Sequence, residues 1–485
     1  EMPPMFGKKL ISIPLFCCSF LITTLCFSQS YHALNGSKYA GLLGSYYNPA
    51  SIVNSVYQWD LSLFAAQSSI ANNLVKIKGF SLSNYDTATA SITEGKFKRY
   101  LHQNSDFQLF NATVHLGKLG TVGLALRTRT FNHTKTDDFL WIDSLNSTSQ
   151  ILRNNYPNPQ FDAFATHAGW FQLDLSYANQ VIDNPEYSLA LGGTLQILRS
   201  VSAAYAQVRG INYRPVANLP GIYTLTAGEF SANYSTNIDG LDGDNFSRRM
   251  VDSFIQNSKI GLGLSFGAEW VQKLTDRYDV NDEEQKGDYN WKAGFSVMDI
   301  GANKFVSSVS GFMASDVNTQ RFANRFFDVT ESVSSLRQMQ DSARVYFNNV
   351  QAAPNEFTVQ LPTRFIFYAD KNWGNGWYTG VQMNINWYST QPKGKLKTRE
   401  INFLTINPRW EKRAIGVYLP IQFTTQARLL VGAAVKLGPL VVGLHNLNWL
   451  SNKYTQLNGG GYIVLKMGIL PKKAVYKSYK CASIN

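Results

Sequence analysis

The feature that most constrains this chain is an alternation of apolar and polar residues, two residues per repeat, that recurs along most of its length. The clearest stretch is Ile260–Trp270. Ile260, Leu262, Leu264, Phe266, Ala268 and Trp270 share one face, and Gly261, Gly263, Ser265, Gly267 and Glu269 share the other. A second runs from Trp377, where Thr379, Val381, Met383, Ile385 and Trp387 alternate with Tyr378, Gly380, Gln382, Asn384 and Asn386. Its two tryptophans lie ten residues apart. At ~3.3 Å per residue and a tilt of ~40°, that separation covers roughly 25 Å of height, the apolar band of a membrane barrel. Trp270, Trp377 and Trp387 are therefore expected as anchors at the rims, where an aromatic ring meets lipid headgroups.

Weaker copies occupy 57–65, 122–128, 171–177, 189–197, 429–437 and 463–469. Further candidates lie near 107–118, 203–213, 289–299, 362–370, 401–411 and 414–423. Together they predict an all-β chain, a transmembrane antiparallel barrel of about 14 strands. The polar faces carry Asp60, Arg127, Arg129, Asp174, Gln196, Lys436 and Lys466, which suits a wet or salt-bridged lumen. A secreted β-sandwich also alternates. Against it stand the length of the strands, the small residues on the polar face and the aromatics near strand ends.

Aromatic residues make up 13% of the 485 residues and charged residues 16%. After the first 29 residues there is no apolar run long enough for a membrane helix, so helical spans are excluded. The mean hydropathy of −0.18 fits a barrel that shows lipid only alternate residues. The net charge of +12 is scattered rather than clustered. It is read as solvated loops facing outer-membrane lipid, with no nucleic-acid partner.

Residues 5–29 have the layout of a secretory signal: Lys8 and Lys9, an apolar stretch from Leu10 to Phe27, then small polar residues. Cleavage and export to the bacterial outer membrane are expected, with an uncleaved anchor as the competing reading. Leu25 stands where a lipoprotein signal wants a small residue. Cys17, Cys18 and Cys26 fall inside this segment, leaving Cys481, so neither an internal disulfide nor a cysteine metal site is expected.

Long insertions are expected near 70–105, 131–168, 213–258, 272–288 and 313–361, with short turns at Lys118-Leu119-Gly120 and Leu437-Gly438-Pro439. In one of them Phe322, Phe326, Val329, Val333, Leu336, Met339, Ala343 and Tyr346 recur at helical spacing, predicting an amphipathic helix over about 322–346. It reads as a cap over the barrel mouth, or as a partner-docking face carried by Phe326, Val329, Val333 and Leu336.

The segment Gly41-Leu-Leu-Gly-Ser-Tyr-Tyr-Asn-Pro-Ala-Ser-Ile-Val53, with its Asn-Pro-Ala triplet after the signal and before the first strand, resembles the N-terminal segment of FadL-like and PorV-like outer-membrane barrels. Ala293-Gly-Phe-Ser-Val-Met-Asp-Ile-Gly301 and the helical insertion look like an uncharacterised branch, a domain of unknown function. That superfamily includes long-chain fatty-acid and hydrocarbon transporters and a barrel of the type IX secretion system. The resemblance implies a plug or hatch over 30–56, with Asn48, Pro49 and Ala50 as ligand-gating candidates, ahead of a barrel over 57–470. From the residues alone, Asn48 can turn the backbone and Pro49 fixes φ, so a plain turn into the first strand stands equally. The chain departs from the usual barrel ending in an aromatic residue. A basic tail, 471–485, follows the last strand and leaves the closing strand open.

Catalytic chemistry is thin. The six histidines are scattered, and neither a His-Glu-x-x-His nor a Gly-x-Ser-x-Gly motif occurs. No catalytic residue, metal or cofactor is expected. Asp239, Asp242 and Asp244 in a Gly-rich loop miss the EF-hand spacing and read as a solvated turn. Two functions remain. One is passive transport of a hydrophobic or amphipathic small molecule, gated by the N-terminal segment. The other is a non-transporting partner or scaffold barrel with envelope protein partners, such as those of the type IX secretion system. The first expects an apolar pocket behind the triplet and the second a sealed lumen.

Overall fold

A computed structural model describes residues 31–469, apart from 84–85, 146, 158–159, 239–247, 275–287, 327–334, 388–395 and 426–427. The signal-like start, the basic tail, all four cysteines and Asp239, Asp242 and Asp244 lie outside the described residues.

The alternating stretches become the wall of one barrel. It begins with β1 (Trp59–Asn72), β2 (Gly95–His115), β3 (Thr121–Trp141), β4 (Phe161–Asp183) and β5 (Tyr187–Pro215). Next come β6 (Ile260–Lys273), β7 (Tyr289–Val306) and β8, which runs as Glu356–Gln360 and then Arg364–Gly374. The wall continues through β9 (Trp377–Asn386), β10 (Phe403–Glu411) and β11 (Ile415–Tyr418, then Ile421–Thr424). It ends with β12 (Arg428–Val431, then Ala433–Leu437), β13 (Leu440–Leu444) and β14 (Asn458–Ile469). Each strand pairs antiparallel with the next, and β14 pairs with β1 from Trp59↔Ile469 to Ala71↔Asn458, closing a 14-strand barrel. The closing strand left open by the sequence is thus Asn458–Ile469.

The agreement on strand number hides two offsetting differences. The candidates at 189–197 and 203–213 are a single strand, β5, of 29 residues. The strand Leu440–Leu444 escaped notice because Leu-Val-Val-Gly-Leu is apolar at every position and shows no alternation.

Side chains on the outer face are apolar and exposed. On β6 these are Ile260, Leu262, Leu264, Phe266 and Trp270; on β9 they are Trp377, Val381, Met383 and Ile385, followed by Trp387 just past its end. The intervening Ser265, Glu269, Tyr378, Gln382 and Asn384 are buried in the interior. A belt of this kind, on a closed ring whose strands pair their backbones with one another, spans a membrane. The chain reverses in tight turns at one end, including Asn184–Glu186, Asn375-Gly376 and Gly438-Pro439.

At the other end the strands run past the belt. The upper part of β5 pairs with Tyr223–Tyr234, which pairs with Phe312–Val317, and that in turn with Phe347–Ala352. Much of the expected loop at 70–105 and 131–168 is therefore strand. Under this extension Leu225, Phe230, Phe312, Phe326 and Phe347 form an apolar core with Leu336, Met339, Ala343 and Tyr346. The continuous helix expected over 322–346 is corrected. Ser335 is extended (φ −142°, ψ 155°) and its side chain caps a new helix, Leu336–Tyr346, by accepting from the Gln338 N–H. Helices also occur at Thr148–Asn154 and Arg248–Asn257, in two other insertions.

Candidate functional site

Residues 31–56 lie inside the barrel as short 3-10 turns, His32–Leu34, Gly41–Tyr46 and Pro49–Asn54. Asn48 starts the last of these. Its Oδ1 accepts from the Ala50 N–H at 2.9 Å, and Pro49, which has no N–H to lose, occupies the first position of the turn. The Asn48 Nδ2 donates to the Ala268 carbonyl (2.8 Å) and to the Tyr368 hydroxyl (3.1 Å). Opposite the triplet the wall is recessed. Gly192 on β5 and Gly267 on β6 are cross-strand partners. A Cβ on Gly192 would lie 2.6 Å from the Ala50 nitrogen, and one on Gly267 would lie 1.9 Å from the Asn48 Oδ1. Only glycine at both positions admits the segment so close.

Toward the tight-turn end the segment is held by charge. The Gly36 carbonyl accepts from Lys292 Nζ (2.6 Å), Arg409 Nη2 (3.1 Å) and the Tyr289 hydroxyl (3.2 Å). Arg409 in turn pairs with Asp370 (2.6 Å) and Glu411 (3.2 Å), and Ser37 donates to Glu411. Lys38 reaches Asp288 at 2.7 Å. Lys466 on β14 donates to the Tyr39 carbonyl and stands 3.9 Å from Asp60.

Mid-lumen, the wall carries a cluster of buried charges. Asp299 accepts from Arg129 through both carboxylate oxygens (2.9 and 3.0 Å), from Arg364 (2.5 Å) and from Gln196 (2.8 Å). It faces inward because β7 bulges between Val297 and Ile300, turning both Met298 and Asp299 to the lumen. Arg127 adds pairs to Asp106 (3.0 Å) and Asp174 (2.8 Å) and lies over the Tyr46 ring. Arg364 also donates to the Tyr46 carbonyl (3.4 Å), tying the wall to the N-terminal segment.

A second piece of chain enters from the other end. Residues 396–402, between β9 and β10, leave Leu396, Lys397, Thr398 and Ile401 buried. Leu396–Lys397 pair in parallel with Val359–Gln360. Glu400 reaches Arg364 (3.1 Å) and Arg129 (3.4 Å), which come from β8 and β3, staves that are not neighbours. Beside this cluster lies an apolar one, also inside the wall: Phe131, Trp170, Leu198, Phe305, Phe357, Val359 and Leu361, with Leu396 among them. Phe131 stacks on Trp170 at 5.2 Å and Phe305 on Phe357 at 5.6 Å.

The sequence-derived candidates fall in three places. Asn48, Pro49 and Ala50 sit buried in the lumen. Trp270, Trp377 and Trp387 are on the outer face. Phe326 and Leu336 pack in the core under the strand extension, 1% and 7% exposed, so their apolar surface is already used by the chain itself; Val329 and Val333 lie outside the described residues. Sequence reasoning placed Arg127, Arg129 and Asp174 on the inner face but missed Arg364, Asp370, Glu400, Arg409 and Glu411. Two gaps beside the N-terminal segment, lined by Asn35 and Gly36 with Tyr368, each offer about 10 Å³, room for a single water.

A closed apolar-belted wall around a lumen filled by the chain's own N-terminal segment and an inward loop defines a plugged, membrane-spanning β-barrel. Within that class the chain belongs to the family described as a family of unknown function, DUF5723, whose model matches residues 49–444. No curated protein matches it in sequence. Among solved structures it is similar to the toluene transporter TbuX of Ralstonia pickettii, at 10% identity and a TM-score of 0.40, over 92% of this chain and 100% of that one. A FadL homologue from Pseudomonas aeruginosa is similar at 11% identity and a TM-score of 0.40, over 91% of this chain and 98% of that one. A TodX mutant, a monoaromatic hydrocarbon channel, is similar at 8% identity and a TM-score of 0.37, over 86% and 91%.

Proposed function

We propose that this protein is a gated conduit of the bacterial outer membrane for hydrophobic or amphipathic small molecules. The observation that carries the reading is the aromatic cluster of Phe131, Trp170, Phe305 and Phe357 inside the lumen. A barrel that only conducts water and ions lines its interior with polar groups. Ligand sites, by contrast, are mostly apolar with a few placed polar groups. Here charge borders the aromatic surface directly: the Arg129 guanidinium lies 5.0 Å from the Phe131 ring. Asn48, Pro49 and Ala50 act as the inner gate, since their release from the Gly192–Gly267 recess would clear the lumen on that side.

The second reading, a scaffold barrel for an envelope machine, draws support from the Lys38–Asp288 pair that fastens the N-terminal segment and from the two gaps beside it, about 10 Å³ each where transport expects an apolar pocket. Native mass spectrometry of protein extracted in mild detergent separates the two. The conduit reading expects a bound species of lipid-like mass, and uptake of an apolar dye by proteoliposomes. A stable protein complex, with neither bound lipid nor dye uptake even after removal of residues 31–56, would sink it in favour of the scaffold.

A further inference from the structure

We propose that residues 396–402 are an autoinhibitory strap that occupies the ligand position of the lumen, with Glu400 as its latch. The inference rests on the conduit reading and adds how that site is regulated. Leu396 enters the cluster formed by Phe131, Trp170, Phe305 and Phe357, where it stands in for an apolar ligand. Glu400 sets its carboxylate between Arg129 and Arg364, which are also bound by Asp299. The strap is also tied at its backbone. Thr398 makes two to the Gln360 carbonyl, at 3.0 Å through its N–H and 2.8 Å through its hydroxyl. The Asn386 side chain brackets Glu400, donating to its carbonyl at 2.6 Å and accepting from its N–H at 3.2 Å.

The wall keeps its own charge balance without the strap. Asp299 remains on both arginines when Glu400 leaves, so withdrawal exposes an aromatic surface and two partly neutralised guanidiniums rather than stripping the cluster bare. Arg364 adds a coupling. The same guanidinium that holds Glu400 also donates to the Tyr46 carbonyl of the N-terminal segment. With the strap withdrawn, Arg364 keeps Asp299 and the Tyr46 carbonyl as its partners, so the strap and the N-terminal segment share one guanidinium.

The test measures binding of radiolabelled naphthalene to the full chain in amphipol, by equilibrium dialysis. One variant is Glu400→Gln. The other places cysteines at Gln360 and Lys397, which face each other in the parallel pairing, in a background with Cys17, Cys18, Cys26 and Cys481 replaced by serine. Electrophoretic mobility of unheated samples checks that each barrel is folded. Glu400→Gln is expected to bind about tenfold more probe than the unaltered chain, the range of an ordinary coupling between two sites. The oxidised double-cysteine protein should bind less than the unaltered chain, and reduction of the same sample should restore its binding. Equal binding by the unaltered, Glu400→Gln and oxidised forms overturns the strap while leaving the conduit in place. No binding by any of them overturns both.

Discussion

Asp299 reaches the lumen only because β7 carries an extra residue there, and its left-handed backbone (φ 56°) turns the carboxylate toward Arg129 and Arg364. Buried ion pairs of this kind add little net stability when complete, but removing one partner leaves a charge stranded. Asp299→Asn keeps the shape and removes the charge. It is expected to destabilise the barrel by about 3–5 kcal/mol, read as a shift in guanidinium unfolding of the detergent-refolded protein; a change near zero would mean that Glu400 alone satisfies both arginines. Arg99 shows the same logic above the belt. Its guanidinium donates to the carbonyls of Thr93, Gly95, Phe97 and Phe139 and lies between the Phe97 and Phe139 rings at 4.4 and 4.1 Å. Arg99→Met retains the packing and removes a donor from four carbonyls. Faster hydrogen exchange confined to the extension of β2 and β3, with the membrane belt unchanged, is the expected outcome.

Among the elements, β5 and β6 form the recess that receives Asn48–Ala50. Gly192→Val or Gly267→Val pushes a side chain into backbone or into the Asn48 amide. Overpacking of this kind costs about 1–3 kcal/mol, so either variant should undock the segment rather than unfold the wall. Labelling of an Ala50→Cys reporter by a water-soluble maleimide should rise, and an unchanged rate would show that the recess does not hold it. The glycines also show what was legible beforehand. Alternation over Ile260–Trp270 told which residues face inward, because it is a local property of one strand. It did not tell that Gly192 and Gly267 would meet, since 75 residues separate them and their pairing depends on register. Glu400 was hidden for the same reason: it lies in a stretch without periodicity, and its partners Arg129 and Arg364 lie far off in sequence. The break at Ser335 was missed because apolar spacing says nothing of a cap, although Ser335 followed by Gln338 is a local signal for one. In β10–β12, Pro408, Pro420 and Gly432 line up where the ladder is interrupted. The Leu419 N–H donates to the Pro408 carbonyl and the Gly432 N–H to the Pro420 carbonyl. Pro420 has no donor to give here, which explains why β11 falls into two short pieces, with β12 broken beside it at Gly432.

At the scale of the whole molecule, the belt sets depth and the fillings set permeability. We propose that Trp377 and Trp387 mark the two membrane interfaces, one at each end of β9. Lipids brominated near the headgroup should quench both, measured in variants retaining each tryptophan in turn, while bromine at the chain ends should quench neither. Stronger quenching from the chain ends would place them at the midplane instead. The two fillings predict an electrically silent protein. Planar bilayers containing the unaltered chain should show no steady conductance, and deletion of residues 31–56 together with Glu400→Gln should give open currents.

Tyr31, the first described residue, is already deep in the interior, in contact with Tyr46 and Tyr462, and the segment it begins is continuous with β1. A chain wound back and forth and fastened along its length packs with least hindrance before the ring is shut, so the last seam, β14 onto β1, closes most readily around a segment already gathered inside. The segment is an occupant and not a stave. Its loss should leave the seam intact and the barrel leaking.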